Sequence, residues 1–280
     1  MIEFFVEPFS YTFMVRALLA AVLASAACAV VGTYVVLRGM AFMGDALAHS
    51  ILPGVAVGYL LGRGERSIVL WWALGTAVAS ALAMGAVARR GRLREDTAIG
   101  IVLAAMFALG IALISTTRGY AVDLTHFLFG NVLAVSPQDL WVMVGLGGAV
   151  FLTVAVFQRE LLLVSFDPVL ARTLRLPVRT LHNLLLLMVA ATVVLSLQVV
   201  GVALTLALLV TPPATGYLLA RRVRTMMALG VASGLLSAVL GIYISYHAGI
   251  ATGPAIVLVA TAMFLIALAC SPKRHTLLPR

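Results

Sequence analysis

Runs of about twenty apolar residues follow one another along the whole chain, separated by short breaks rich in arginine, proline and glycine. An α-helix rises 1.5 Å per residue, so roughly 20 such residues cross the hydrocarbon core of a bilayer. On that criterion nine spans are predicted, at about 12–37, 41–61, 67–88, 97–116, 140–157, 181–199, 200–220, 225–246 and 254–271. The junction at Gly201 is the least defined, because two runs meet there with almost no loop. A single long or broken helix at that point would reduce the number to eight. The fold expected is an all-α integral membrane bundle, one domain over residues 1–280. Glycines four apart, at Gly54, Gly58 and Gly62 and at Gly230 and Gly234, read as stripes for close helix–helix approach in lipid.

Composition makes the membrane assignment nearly unavoidable. Apolar residues make up 63% of the chain and charged ones only 10%, against roughly 25% charged in a soluble domain. The net charge of +9 does not point to nucleic acid, because the arginines gather in the breaks between spans. Topology and anionic lipid headgroups account for them. If the loop after the third span is cytoplasmic, that side holds fifteen basic residues and the other side four, namely Arg16, Arg63, Arg66 and Arg118. The C-terminus then lies inside and, with nine spans, the N-terminus outside. The opening stretch MIEFFVEPFSYTFMVR has Glu3 and Glu7 and lacks a basic leader, so it does not read as a cleaved signal. Cys28 and Cys270 belong to no CxxC pair and read as small core hydrophobes.

Only one acidic residue, Asp45, falls deep inside a span, and His49 follows four positions later. A carboxylate in hydrocarbon is costly and is retained where it faces a cavity or a partner. Positions i and i+4 share a helix face, so one oxygen and one imidazole nitrogen can meet the same divalent ion. The plainer reading has the two residues bonding each other or a backbone carbonyl. Enzymatic alternatives fail on residue types. The only lysine, Lys273, lies in the tail, which excludes a Walker loop, and neither HExxH nor GxSxG occurs. The residues favour moving something over transforming it. Among the other histidines, His126 falls in the outer loop, His182 at the start of a span and His275 in the tail. His247, beside the Gly/Pro-rich break SYHAGIATGP, is the candidate third ligand.

Two segments between spans carry further signals. In 158–181, Asp167 can cap a short helix, Pro168 fits its first position and Pro177 stops it after Leu176. That helix would show Val169, Leu170, Thr173 and Leu174 on one side, with Arg172 and Arg175 beside them. It suits docking into another protein's groove, or else lies on lipid as an interfacial helix. The outer segment 117–139 contains an amphipathic piece around Leu124–Phe129 that touches an extracytoplasmic partner or caps the bundle.

The stretch VVGTYVVLRGMAFMGDALAHSILPGVAVGYLLG (30–62) resembles the most recognisable part of the permease subunits of zinc/manganese/iron ABC importers. REDTAIGIVLAAMFALGIALIS (94–115), DLTHFLFGNVLAVS (123–136), LLLVSFDPVLARTLRLPVRTL (161–181), VGVALTLALLVTPPATGYLLARR (200–222) and SYHAGIATGPAIVL (245–258) are similar to the same family in the same order. The resemblance implies a homodimeric or pseudo-dimeric permease driven by a dimer of cytoplasmic ATP-binding subunits and fed by an extracytoplasmic metal-binding protein. It implies metal contact by Asp45 and His49, and coupling to the ATPase through 167–176, with Asp167, Pro168, Leu170, Arg172, Leu174 and Arg175. One departure stands out: Gly249 occupies a position where the family often carries an aspartate. Either His247 substitutes for the missing ligand or the site is completed differently. With few ligands, mixed nitrogen and oxygen, the transported ion expected is Zn²⁺ ahead of Mn²⁺ or Fe²⁺. No permanently bound cofactor and no nucleic-acid partner are expected. The rivals are an autonomous channel or secondary carrier, and a permease for metal chelates.

Overall fold

The structure is a computed structural model that describes residues 11–62, 65–116 and 135–271. Among these residues the chain forms helices and no strand: α1 (Thr12–Leu37), α2 (Phe42–Ser50), α3 (Leu52–Gly62), α4 (Arg66–Gly91), α5 (Glu95–Ser115), α6 (Pro137–Phe166), α7 (Pro168–Thr173), α8 (Val178–Val200), α9 (Val202–Leu219), α10 (Val223–Ala248) and α11 (Thr252–Cys270). Eight stretches are long and apolar enough to cross a membrane, with α2 and α3 counted together as Phe42–Gly62. A ninth apolar helix, Leu204–Leu219, is shorter. All nine predicted runs are therefore helical, and the short one is the run that begins at Gly201.

Gly201 settles the junction between α8 and α9. Its φ of 79° and ψ of 174° belong to a region that only glycine populates readily. Its N–H closes α8 on the Leu197 carbonyl, and its own carbonyl accepts from Thr205 N–H and Oγ1. One residue thus ends one helix and starts the next, and a continuous helix across this point does not form.

Two boundaries differ from the pattern. The second span breaks at Ile51, where Pro53 follows closely; a proline ring clashes with the carbonyl four residues back and lacks the donor that would bond it. The fifth span was expected to end at residue 157. The helix instead bends at Phe157 (φ −103°, ψ 18°) and continues to Phe166. Leu161 and Val164 are buried, so this continuation packs inward rather than forming a loop.

α1 is the centre of the bundle and contacts α6, α8, α9 and α10. Its inner residues are small: Ala17, Ala20, Ala21, Ala24, Ala27 and Cys28 are fully buried. Lipid tails are as apolar as leucine, so helices associate here by close fit rather than by escape from water. Gly32 shows how close. A Cβ there would strike the Leu209 carbonyl of α9, whose usual helical donor, residue 213, is a proline. Gly54, Gly58 and Gly62 lie against Thr76, Val69 and Ile68 of α4, as their spacing predicts. Gly230 and Gly234 lie against Pro212 and Pro213 of α9, with Ser25 of α1 also beside Gly234.

Gly201→Ala should destabilise the bundle by about 1–3 kcal/mol, because alanine cannot adopt that backbone without strain. Gly145, with nothing within 4 Å of an added Cβ, is the matched control. Thermal unfolding in detergent should fall for Gly201→Ala and hold for Gly145→Ala; equal midpoints would show that the break is not conformationally required.

Candidate metal site and docking helix

The turn between α1 and α2 fixes where the metal pair stands. Gly39 takes a left-handed φ of 68°, and the N–H groups of Gly39 and Met40 bond the carbonyls of Val36 and Val35. Such a turn satisfies the last carbonyls of α1 and releases the chain into α2. Along α2 the residues Met43, Gly44, Ala46, Leu47, Ala48 and Ser50 are buried, and Gly44 sits against Leu206 and Leu209 of α9. Asp45 and His49 occupy the face left open, with 29% and 35% of their side chains exposed. His49 Nε2 lies 3.6 Å from Asp45 Oδ1, too far for a hydrogen bond. Two ligands at about 2.1 Å from one ion, subtending roughly 110–120°, stand about 3.5 Å apart. The spacing accommodates a shared ion. Phe107 of α5 stands edge-on to His49, with ring centroids 5.8 Å apart, and walls one side of the pair.

No third His, Cys, Asp or Glu joins them among the described residues. His247 is exposed in the last turn of α10, packed edge-on against Tyr243 and Tyr246 at 4.5 and 5.1 Å. Tyr246 in turn meets Tyr11 at the start of α1. Gly249 is the left-handed C-cap of α10 (φ 64°, ψ 24°), which gives a conformational reason for glycine there. The hydroxyls nearby are engaged in the turn: Ser245 Oγ donates to the Ile250 carbonyl at 2.7 Å and lies 3.0 Å from Thr252 Oγ1. His126 and His275 lie outside the described residues.

α7 forms as its residues predict. Asp167 Oδ1 accepts from the N–H groups of Val169 and Leu170 at 3.0 and 2.9 Å, and Pro168 fills the first helical position. Ala171 is fully buried, whereas Val169, Leu170 and Leu174 are exposed. Arg175 takes a left-handed φ of 58°, and Leu176 N–H returns to the Ala171 carbonyl to close the helix. The result is an exposed apolar ridge on a firmly capped turn, flanked by Arg172 and Arg175.

The ABC 3 transport family's profile matches residues 10–271. The manganese transport system membrane protein MntC of Halalkalibacterium halodurans is 47% identical over 274 residues, covering 98% of this chain and 92% of that one. A Haemophilus influenzae protein named "Probable iron transport system membrane protein" is 37% identical, covering 98% and 99%. Among solved structures, PsaBC from Streptococcus pneumoniae in complex with Fab superposes with a TM-score of 0.86 at 36% identity, over 99% of both chains. The chain belongs to the ABC 3 transport family. It is a multi-pass membrane permease of the metal importers, and ATP hydrolysis in such importers belongs to a separate subunit.

Sequence reasoning missed one feature of this ABC 3 permease: it counted Arg38 only among the basic residues of the cytoplasmic side and placed His182 only at the start of a span. Arg38 Nη1 stands 2.7 Å from His182 Nδ1. A guanidinium cannot accept, so Nδ1 is the acceptor and the imidazole proton sits on Nε2. Burial draws the Arg38 pKa down, while the Glu95 carboxylate acts in the other direction. The partners lie 144 positions apart in sequence. No local pattern signals such a pair.

The cap makes a local prediction. Asp167→Ala removes the acceptor of two N–H groups and should cost α7 about 0.5–2 kcal/mol. Hydrogen exchange at Val169 and Leu170 should accelerate accordingly while α8 keeps its protection; unchanged rates would mean that packing of Ala171 alone holds the helix.

Proposed function

We propose that this permease carries Mn²⁺ across the cytoplasmic membrane, using ATP hydrolysed by a separate dimer of ABC subunits. Its partners are an extracytoplasmic metal-binding protein and a second permease copy. The observation that carries the route is the half-exposed Asp45–His49 pair inside an otherwise apolar span. The ion is argued from relatives: the MntC protein at 47% identity is named for manganese, and the iron-named protein is more distant at 37%. This revises the expectation of zinc, which rested on counting the ligands visible in sequence. Manganese favours oxygen donors in octahedral sites, and water, hydroxyls and carbonyls can complete such a shell around an open-sided pair. None of these has a sequence signature. His247 stays a candidate contact at the outer mouth, not a member of the inner pair. The arginine-rich helix ends favour a cytoplasmic C-terminus and an extracytoplasmic N-terminus.

In cells lacking their own importers, expression of the intact transporter should restore manganese accumulation. Asp45→Ala and His49→Ala should each reduce it at least tenfold, with membrane levels unchanged. Normal uptake in both variants would end the metal-pair reading. Zinc accumulation without manganese would overturn the ion and keep the site. Purified chain in liposomes distinguishes the autonomous rival, since metal uptake without ATPase subunits would exclude the ABC reading.

The exposed α7 ridge is the proposed seat of the ATPase. Replacing Leu170 and Leu174 by aspartate should abolish ATPase binding while the permease still inserts and folds. Retained binding and transport would favour a helix lying on lipid.

A further inference from the structure

The end of α6, the helix α7 and the start of α8 share a small core of their own. Val164, Ala171 and Leu181 are buried together, with Leu163, Leu176 and Val178 against them. This cluster is separate from the large one that holds Met40, Met43, Leu47 and Ile51 around the metal helix. The corner meets α2 in two ways: α8 packs directly against it, and one side chain ties the corner by hydrogen bonds to the turn that leads into it.

Arg38 bridges the two. Its Nη1 donates to His182 Nδ1 near the start of α8 at 2.7 Å, and its Nη2 donates to the Val164 carbonyl near the end of α6 at 3.4 Å. Its backbone N–H meanwhile caps α1 on the Tyr34 carbonyl, and the Gly39–Met40 turn leads from it directly into α2. Met40 and Met43, on the way to Asp45, line the same cleft as His182 and Glu95. Among the described residues a second polar tie to this corner, Arg89 Nη1 to Asn183 Oδ1 at 3.2 Å, comes from the end of α4, which packs against α2 but does not lead into it along the chain as Arg38 does. A guanidinium presents its donors in a rigid fork, so it can hold an imidazole and a carbonyl at once; an ammonium on a flexible stem fixes neither direction.

We propose that Arg38, through His182 and the Val164 carbonyl, is the positioning residue that passes movement of the docking corner to the Asp45–His49 helix. The inference rests on α7 being the seat of the ATPase, as argued above. It makes the coupling between ATP hydrolysis and metal movement depend on a residue that touches neither the ion nor the nucleotide.

The test uses the full transporter, with its ATPase and metal-binding protein, in proteoliposomes. Mn²⁺ uptake and ATP hydrolysis are measured on the same sample. Arg38→Ala and His182→Ala should keep hydrolysis within about twofold and lower manganese moved per ATP roughly tenfold. The double variant should be no worse than Arg38→Ala alone. His182→Asn, whose amide oxygen can take the place of Nδ1, should recover most of the ratio, whereas Arg38→Lys should not. Manganese per ATP unchanged in Arg38→Ala overturns the proposal, as does a proportional loss of both activities. If Arg38→Ala fails to insert, the His182 pair decides, and equal behaviour of alanine and asparagine there overturns it too. An unaltered complex that hydrolyses ATP but moves no metal sinks the proposed function and this inference together. Normal coupling in all variants of a working complex sinks the inference alone.

Discussion

A bilayer core offers a backbone amide no partner, so each crossing of this chain must close its own hydrogen bonds or hide the breaks among other helices. The breaks are few among the described residues, and they have identifiable causes. Pro53 follows the interruption at Ile51, Gly201 divides α8 from α9, and Pro212 and Pro213 leave carbonyls of α9 without their helical donors. Each break lies against another helix. The Leu209 carbonyl faces Gly32 of α1, and the Pro212 carbonyl is approached by Ser233 Oγ of α10 at 3.4 Å. The metal pair sits immediately before the first of these interruptions, on a helix only nine residues long. A long uninterrupted helix would have less freedom to present both residues to one opening.

The same solvent decides what holds the helices together. Hydrophobic burial gives little between apolar surfaces already in lipid, so small residues and shape carry the association. Several hydroxyls inside the bundle bond their own helix: Thr33 to Ala29, Thr205 to Gly201, Thr215 to Thr211 and Ser237 to Ser233. They cost little and specify little. The bonds that join distant elements are rarer. Cys28 meets Ser196 across α1 and α8, Ser271 Oγ reaches the Leu218 carbonyl, and Arg38 meets His182 and Val164. Of these, only Arg38 joins the corner around α7 to the turn that leads into α2.

What could be read from the chain follows from this physics. Apolar runs report candidate crossings directly, so all nine apolar runs were legible as helix, and so were the glycine stripes. The Asp167–Pro168 signature predicted a capped helix that the structure shows with both cap bonds. Asp45 announced itself because a lone carboxylate in lipid is conspicuous. The continuation of α6 past Phe157 was not legible, because a short apolar stretch after the polar break Gln158-Arg159-Glu160 reads equally as interfacial loop. Nor was the Arg38–His182 pair, since each residue alone looks like one of many cations at a membrane face. The ion was not legible for a related reason. Its shell depends on oxygen donors that every residue possesses.

The proposed choice of manganese bears on how such an importer would work. Affinity for sites of nitrogen and oxygen rises from manganese through iron towards copper and stays higher for zinc than for manganese. An Asp–His pair left to equilibrium would prefer the wrong ion. Closing the shell with more protein ligands would raise affinity for both and slow release. An incomplete, half-exposed pair does the opposite: it holds any divalent ion weakly and lets it go. Discrimination then has to act before the ion reaches α2, at capture by the extracytoplasmic partner, or through the cost of stripping its water. On the proposed reading the pair contributes passage, and the order of events around it contributes selectivity. A fourfold or greater preference for manganese in the assembled transporter, absent from metal binding to the isolated permease, is the signature this division of labour requires.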